Sequence, residues 1–183
     1  MIISVSSLVR YLLQRDDDKA NAYEARIASQ FFLGGGYKIL ITLKNINANN
    51  WYACTLLEAA EEQKTMFPAP AVFWLAEAAY CGMNALALYA DDDIVGFTVY
   101  AIDPDDHNYW IMAFMIDHRH QGKGYGRSGM SAVVKHIQEQ HGCKIILLGH
   151  RPNNERAANL YASLGFTEID RTEYEVIRQL SLS

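Results

Sequence analysis

Positive charge is scarce in this chain. Its 183 residues include 16 lysines and arginines against 21 aspartates and glutamates, which gives a net charge of −5. Nucleic acids and anionic membrane surfaces attract clustered positive charge, so we expect neither as a partner. No apolar run reaches the roughly 18 residues that suggest a membrane span, so a membrane protein is not expected either.

Cysteine is also sparse. The three cysteines, Cys54, Cys81 and Cys143, stand far apart and show no paired spacing. This argues against a disulfide framework and a zinc site, so we expect no metal and a reducing, cytoplasmic location. Arg10 interrupts the apolar start of the chain and no small-residue cleavage site follows it. We therefore do not interpret that stretch as a signal peptide.

The chain divides into two parts. Residues 1–36 show helical spacing of apolar side chains and end in a glycine triplet, Gly34 to Gly36. We predict an N-terminal helical extension over 1–36 and a single domain over 37–183. Half of all residues are hydrophobic, which is enough to build one full core.

Hydrophobic periodicity predicts the element order βααβββαβαββ for the domain. The patterns that carry this order predict strands over 37–43, 86–90, 94–102, 109–116, 144–148, 166–169 and 174–180, and helices over 47–65, 71–81, 125–140 and 154–164. In the second helix, Val72, Leu75, Ala76 and Ala79 are expected to face inward.

A glycine-rich loop lies between the 109–116 strand and the following helix. It reads Gln121, Gly122, Lys123, Gly124, Tyr125, Gly126, Arg127. Glycines let backbone N–H groups approach an anion, and the helix N-terminus adds partial positive charge. The loop alone fits a phosphate-binding site and a plain glycine turn with a solvated basic rim equally well.

Two familiar phosphate motifs fail here. Gly124, Gly126 and Gly129 match the dinucleotide pattern G-x-G-x-x-G, but residues 117–123 separate it from its strand. The acidic residue expected about 20 positions later is also missing. The P-loop requires Gly-Lys followed by Ser or Thr, whereas Lys123 precedes Gly124.

A third pattern fits both this loop and a later segment. Gln121-x-x-Gly124-x-Gly126 resembles the acetyl-CoA pyrophosphate loop of the GNAT N-acetyltransferases. Residues 154–166, from Asn154 through Leu160-Tyr161 to Gly165-Phe166, resemble the late signature of the same family at every fixed position. A capped amphipathic helix ending at glycine explains most of the second motif, but not the upstream loop or the element order.

The resemblance implies a mixed α/β fold whose mostly antiparallel sheet has splayed central strands flanked by helices. Acetyl-CoA would enter the gap as cosubstrate. The resemblance assigns its pantetheine arm to the backbone of Phe114, Met115 and Ile116, its pyrophosphate to Gln121, Gly122, Lys123, Gly124, Tyr125 and Gly126, and its other phosphates to Lys123, Arg127 or Arg156. Asn154 would bind the arm or cap its helix.

The family's catalytic acid corresponds to Tyr161. A phenol can donate its proton to the departing thiolate of CoA, although Tyr161 would also suit a core position. The candidates for the base that takes the proton of the acceptor amine are Glu77, Asp117, His118 and His120. Asp117 could instead cap the loop, and the two histidines could simply be exposed.

Charge is unevenly distributed along the domain. Residues 45–118 hold eleven acidic residues and only one basic residue, while 119–183 carry a net charge of +3. In the family's fold the first part forms most of the acceptor side, so a cationic amine is the expected acceptor. Solvated turns and helix faces would account for the same carboxylates.

Residues 114–117, followed by the loop residues 121–126, also resemble the bacterial spermine/spermidine acetyltransferase branch. This implies a polyamine or another small cationic amine, attacked directly in a ternary complex. A peptide or protein N-acetyltransferase and a non-catalytic CoA-binding module are the alternatives. The family resemblance also admits a homodimer, to which the extension could contribute.

Overall fold

The computed structural model describes residues 40–67 and 69–182. The predicted extension over 1–36 lies outside the described residues. The strands and helices are β1 (Ile41–Asn45), α1 (Trp51–Thr55), α2 (Ala71–Cys81), β2 (Asn84–Ala90), β3 (Asp93–Ile102), β4 (Tyr109–Ile116), α3 (Tyr125–His141), β5 (Ile145–His150), α4 (Glu155–Ala162), β6 (Thr167–Arg171) and β7 (Val176–Ser181). Two 3₁₀ turns, Glu61–Gln63 and His118–His120, complete the described elements. The element order is the predicted one.

Local sequence explains most of these boundaries. Strands β3 and β4 are rich in β-branched and aromatic residues, which favour a pleated, buried surface. Helix α2 ends at Gly82 and helix α3 ends at Gly142, both in the left-handed conformation that glycine adopts without steric cost. The β2–β3 hairpin turns at Asp91, whose φ is +58°.

The seven strands form one sheet in the order β1-β2-β3-β4-β5-β7-β6. All neighbouring strands are antiparallel except β4 and β5, which run parallel. The mixed, mostly antiparallel sheet predicted from the resemblance is therefore confirmed.

The parallel pair separates along its length. Strands β4 and β5 pair only from Tyr109 to Ile111, opposite Ile146 to Leu148. Among the described strands, none pairs with the rest of β4, up to Ile116, on that side, while it stays paired with β3 on the other. The expected splay of the central strands is confirmed, and it opens a gap toward the carboxyl ends of both strands.

Helices cover both faces of the sheet. On one face Cys54, Leu57 and Ala78, in or near α1 and α2, pack on Phe97 and Met115 of the sheet. On the other face, α3 and α4 bury a second group, made of Met130, Val133, Ile137, Tyr161 and Phe166. The sheet around the splay is thus held from both sides by apolar packing.

The predicted helix over 47–65 is wrong. The structure has a short α1 (Trp51–Thr55) and a separate 3₁₀ turn instead. Between them the chain bends to meet the loop after β4: the N–H of Glu58 donates to the carboxylate of Asp117 at 3.1 Å, and the N–H of His118 donates to the carbonyl of Glu58 at 2.9 Å. Because these tertiary bonds use both backbone groups of Glu58, the helical pattern stops there.

Helix α2 has the predicted bounds but a different inward face. Ala71 and Ala78 are buried, and Trp74 and Leu75 pack against the core. Of the four positions expected to face inward, only Leu75 does so. Val72 is 49% exposed, and Ala76 and Ala79 are exposed as well. The buried face follows positions 71, 74, 75 and 78, which is the regular helical spacing started one residue earlier.

Candidate active site

The glycine loop forms a turn of exposed backbone in front of α3. Gly122 and Gly124 have φ of +75° and +82°, a region that L side chains rarely adopt. Gly124 is the N-cap residue of α3, and no side chain in the described part of the chain caps that end. The first N–H groups of a 17-residue helix therefore remain available to an anion at the end of β4.

Gly126 and Gly129 have different roles. A Cβ on Gly126 would have its nearest neighbour, Cδ2 of Leu160, at 3.8 Å, an ordinary contact. A Cβ on Gly129 would lie 2.7 Å from Cδ2 of the buried Leu88 and 3.3 Å from the ring of Phe114. Gly129 thus lets α3 pack closely on the sheet, the same role that the third glycine has in the dinucleotide pattern.

Gln121 ties the loop to two other segments. Its Nε2 donates to Oε1 of Gln63 at 2.7 Å and to the carbonyl of Ile116 at 2.9 Å. Its Oε1 accepts a hydrogen bond from Nη1 of Arg156 at 2.7 Å. The side chain of Gln121 therefore stabilises the conformation of the loop. The backbone N–H groups of the loop remain as donors for a phosphate.

The three predicted phosphate cations differ in their surroundings. Arg127 donates to the hydroxyl and the carbonyl of Ser163, at the C-terminal end of α4. Arg156 is held by Gln121 and lines the cleft described below, as does Arg127. Lys123 is exposed and is not among the described lining residues.

The free edge of β4 faces the gap through alternate residues. The N–H of Asp117 donates to the carbonyl of Val95 across the β3–β4 pair at 2.9 Å. Because backbone groups in an antiparallel pair alternate in direction, those of Met115 also point to β3, while those of Phe114 and Ile116 point into the gap. Two of the three predicted strand residues thus turn backbone groups to the expected pantetheine path.

A single cleft of about 610 Å³ runs along this gap. One wall comes from β4, the glycine loop, the end of β5 and α4, and includes Phe114, Gly124, Gly149, Asn154 and Tyr161. The other wall comes from the segment before and within α2, with Met66, Phe67 and Trp74. The cleft is large enough to admit more than one ligand group.

Tyr161 lies in an apolar part of the cleft wall that includes β4 and α4. It is 8% exposed, and its ring packs 6.0 Å from that of Phe166 and 5.8 Å from that of His150. Burial raises the pKa of its phenol to about 12. Within the described residues the hydroxyl has no hydrogen-bond partner. A protonated phenol in this position is a ready donor toward a ligand in the cleft.

The structure shows the capping role of Asn154 and leaves the binding role a prediction. Its Oδ1 accepts a hydrogen bond from the N–H of Ala157 at 3.1 Å and so caps α4. The same residue lines the cleft. Since the cap uses only the carbonyl oxygen, the amide NH₂ remains for a ligand.

The structure favours a capping role for Asp117. Its side chain is fully buried, and it accepts hydrogen bonds from Glu58 N–H and from the backbone and guanidinium of Arg119. Burial alone would raise the pKa of this carboxyl, but these bonds hold it at about 2. Such a group takes up a proton poorly at neutral pH, so we do not propose it as the base.

The other predicted base candidates lie off the cleft. Glu77, His118 and His120 are not among the described residues that line it. The same holds for every one of the eleven acidic residues counted over 45–118. The expected negative acceptor face therefore does not form in the cleft, because those carboxylates lie on turns, on outward helix faces and in the Asp117 cap.

Several lining residues were not singled out from the sequence, and the polar ones among them include Trp74, His150 and Glu175. The indole N–H of Trp74 is buried without a hydrogen-bond partner in the described residues. Burial lowers the pKa of His150, whose Nδ1 lies 2.9 Å from the carbonyl of Arg151 and whose Nε2 accepts from Arg178 at 2.9 Å. These contacts indicate a neutral imidazole.

The splayed strands, the glycine loop and the buried Tyr161 lie in a segment of chain whose sequence matches a known family. The sequence profile described as "Acetyltransferase (GNAT) family" matches residues 41–166. The chain belongs to this family. It is an acetyl-CoA-dependent N-acetyltransferase, as the resemblance predicted.

Relatives agree with this assignment. The chain is 33% identical over 133 residues to "Spermine/spermidine N(1)-acetyltransferase" of Bacillus subtilis strain 168, covering 69% of this chain and 87% of that protein. The crystal structure of spermidine N-acetyltransferase from Vibrio cholerae, with CoA and spermine, superposes with a TM-score of 0.62 at 14% identity and covers 78% and 94% of the two chains. A GNAT acetyltransferase from Elizabethkingia anophelis with acetyl-CoA bound gives 0.58 at 14%, covering 79% and 100%.

The described residues contain neither a candidate membrane span nor a candidate metal cluster. None of the helices there combines the length and the hydropathy needed to cross a membrane. Within the same ranges, no group of three or more His, Cys, Asp or Glu side chains is arranged to hold a metal ion.

Proposed function

We propose that this N-acetyltransferase acetylates a primary amine of a polyamine or of another small cationic amine, by direct attack in a ternary complex. The observation that carries the proposal is the 33% identity to the Bacillus subtilis spermine/spermidine enzyme over 133 residues. That match covers most of the family domain, and the cleft lies within the domain.

The shape of the cleft supports attack in a ternary complex. The glycine loop, the free edge of β4 and Tyr161 lie on one wall, and Phe67 and Trp74 lie on the other. Both substrates would occupy one continuous space, so the amine can reach the thioester without a covalent enzyme intermediate. Aromatic and thioether side chains on the acceptor wall suit the methylene segments of an alkyl amine.

The chain's own residues fit acetyl-CoA. Backbone N–H groups of the loop and of the first turn of α3 would hold the pyrophosphate. The outward N–H groups of Phe114 and Ile116 and the free amide of Asn154 would hold the pantetheine arm. An N–H at this edge of β4 would also polarise the thioester carbonyl and so stabilise the charge that develops on its oxygen.

Tyr161 would supply the proton that the leaving thiolate needs, and the proton that the attacking amine loses as the amide forms would restore the phenol. Its pKa of about 12 keeps the phenol protonated across the neutral range. Its hydroxyl is not engaged elsewhere in the described part of the chain. Apolar surroundings strengthen a hydrogen bond to a developing thiolate, because water cannot compete with it.

The test is a survey of amine acceptors with purified protein and acetyl-CoA. Release of CoA would be followed with spermidine, spermine, putrescine, an aminoglycoside, amino acids and short peptides. The exposed Cys81 would react with thiol reagents, so a reaction without amine gives the baseline. We expect selective turnover of a polyamine and an acetylated product by mass spectrometry. Turnover confined to peptides, or acetyl-CoA binding without turnover, would contradict the proposal.

We also propose a cytoplasmic location. The three cysteines are free, and Cys81 is exposed, a condition that reducing compartments maintain. Homodimer formation stays a prediction from the family resemblance.

A further inference from the structure

Positive charge predominates among the titratable side chains that line the cleft. The described lining residues of this kind, apart from Tyr161 and Tyr174, are Arg127, His150, Arg151, Arg156 and Glu175. Three are arginines, and Glu175 is the one carboxylate among the described lining residues. The arginines suit the phosphates of CoA. The carboxylate of Glu175 in the same cleft suits a cationic ligand instead.

The fold places Glu175 there through a short, well-connected loop. Glu175 lies in the β6–β7 hairpin, directly before β7. Its N–H donates to Oγ1 of Thr172 at 3.0 Å, and its carbonyl accepts from the N–H of Thr172 at 2.8 Å. Arg151 fixes the neighbouring position by donating to the carbonyl of Tyr174 at 3.2 Å. The backbone that carries Glu175 is therefore held in place.

The carboxylate itself rests on β5. Strands β5 and β7 pair with His150 opposite Val176, so Glu175 projects over the end of β5. A Cβ built on Gly149 would collide with the Glu175 carboxyl group. Within the described residues the carboxylate has neither a hydrogen-bond partner nor an ion pair. The absence of a side chain at position 149 gives this free negative charge its place in the cleft.

We propose that Glu175 is the residue that binds an ammonium group of the cationic acceptor, other than the amine that is acetylated. The assignment rests on the proposed function and adds to it the position of charge recognition. An unpaired carboxylate attracts a cation into a cleft whose other charges are positive. Phe67 and Trp74 on the opposite wall would contact the methylene segments. The same charge would disfavour acceptors with acidic groups next to the amine.

Glu175→Gln and Glu173→Gln form a matched pair for the test. Both remove one negative charge from the same hairpin with little change of shape, but Glu173 is not among the described lining residues. For Glu175→Gln we expect the KM for spermidine to rise about tenfold, the effect of losing one charge-assisted hydrogen bond. The KM for acetyl-CoA should change less than about twofold. Glu173→Gln should match wild type.

Gly149→Ala moves the carboxylate without changing the charge. We expect the KM for spermidine to rise in this variant also, because the new methyl group displaces the Glu175 side chain. Binding of spermidine to the enzyme–CoA complex, measured by calorimetry, should weaken in both variants. Thermal unfolding of each variant would verify that it is folded.

The outcomes separate this assignment from the proposed function. Wild-type protein that acetylates no cationic amine overturns both. Polyamine turnover by wild type with an unchanged spermidine KM in Glu175→Gln overturns the assignment alone. Equal losses in Glu175→Gln and Glu173→Gln also overturn it, since they would report the general charge of the surface.

Discussion

The guanidinium group of Arg119 donates hydrogen bonds to both carboxylate oxygens of Asp117. Its Nε lies 2.7 Å from Oδ1 and its Nη2 lies 2.9 Å from Oδ2. The same carboxylate accepts the N–H of Glu58, so it joins the loop after β4 to the segment after α1. Asp117 therefore acts as a structural connection between the two walls of the cleft.

The first prediction concerns the pH dependence of stability. Because the pKa of Asp117 is depressed to about 2 in the folded protein, its ionised form stabilises the fold above the unfolded-state value of about 3.9. That contribution, about 2 kcal/mol, is lost as pH falls from about 4 through 2. Asp117→Asn should therefore unfold at lower urea than wild type at pH 7, and the difference should shrink near pH 2.5.

Asp92→Asn is the control for this series. Asp92 is exposed on the β2–β3 turn, and its removal should change the free energy of unfolding by less than about 0.5 kcal/mol. An Asp117→Asn protein whose deficit is the same at pH 7 and at pH 2.5 would contradict the proposed pH dependence.

The second prediction concerns the acid role of Tyr161. Tyr161→Phe should lower kcat by about 100-fold, within the usual range for a general acid. Affinity for acetyl-CoA, measured by calorimetry, should stay within about threefold of wild type. The free energy of unfolding should hardly change, because in the described residues the hydroxyl has no partner to lose.

Tyr80→Phe provides the comparison for Tyr161→Phe, since Tyr80 is 93% exposed on α2. It should keep full activity. If Tyr161→Phe retains wild-type kcat, the tyrosine is a core residue and another group protonates the thiolate. If acetyl-CoA binding is lost together with kcat, the hydroxyl acts in binding.

The third prediction compares two glycines of α3. Gly129→Ala should destabilise the fold by about 1–3 kcal/mol, because its methyl group would press on the buried Leu88 and on Phe114. Gly126→Ala should be neutral or stabilise by up to about 1 kcal/mol, since it has room and alanine favours the helix. Urea unfolding of both variants checks this.

Acetyl-CoA binding adds a second measurement for these variants. We expect weaker binding by Gly129→Ala, because a displaced α3 carries its N-terminal N–H groups away from the end of β4. Gly126→Ala should bind normally, because its methyl group meets Cδ2 of Leu160 only at 3.8 Å and leaves α3 in place. Equal stability of the two variants would rule out the close helix–sheet contact at Gly129.

Several features could be predicted because short stretches of chain carry them. The α2 bounds, the β2–β3 turn and the start of α3 depend on glycine, on proline and on local alternation of apolar residues. The loop at Gln121 and the segment around Tyr161 each lie within about a dozen residues. Their resemblance to the family therefore predicted the splay of β4 and β5 and the cosubstrate.

Other features failed because distant contacts decide them. The helix predicted over 47–65 breaks at Glu58, because its backbone N–H and carbonyl form hydrogen bonds with Asp117 and His118 in the loop after β4. The charge count over 45–118 predicted a cationic acceptor, but none of the carboxylates that it counted is among the described residues lining the cleft. A sum along the chain does not show which carboxylates point into a cleft.

The amino-acid sequence by itself determined the family, the order of the elements and the glycine loop, since each follows from patterns within one element or one turn. Only the tertiary structure decided which charges meet the cleft. Pairing of β7 with β5 brings Glu175 onto Gly149, and packing of α2 brings Trp74 to the opposite wall. Glu175, Gly149 and Trp74 are far apart in sequence and line the same cleft only because of strand pairing and core packing. A local sequence pattern contains no information on such contacts.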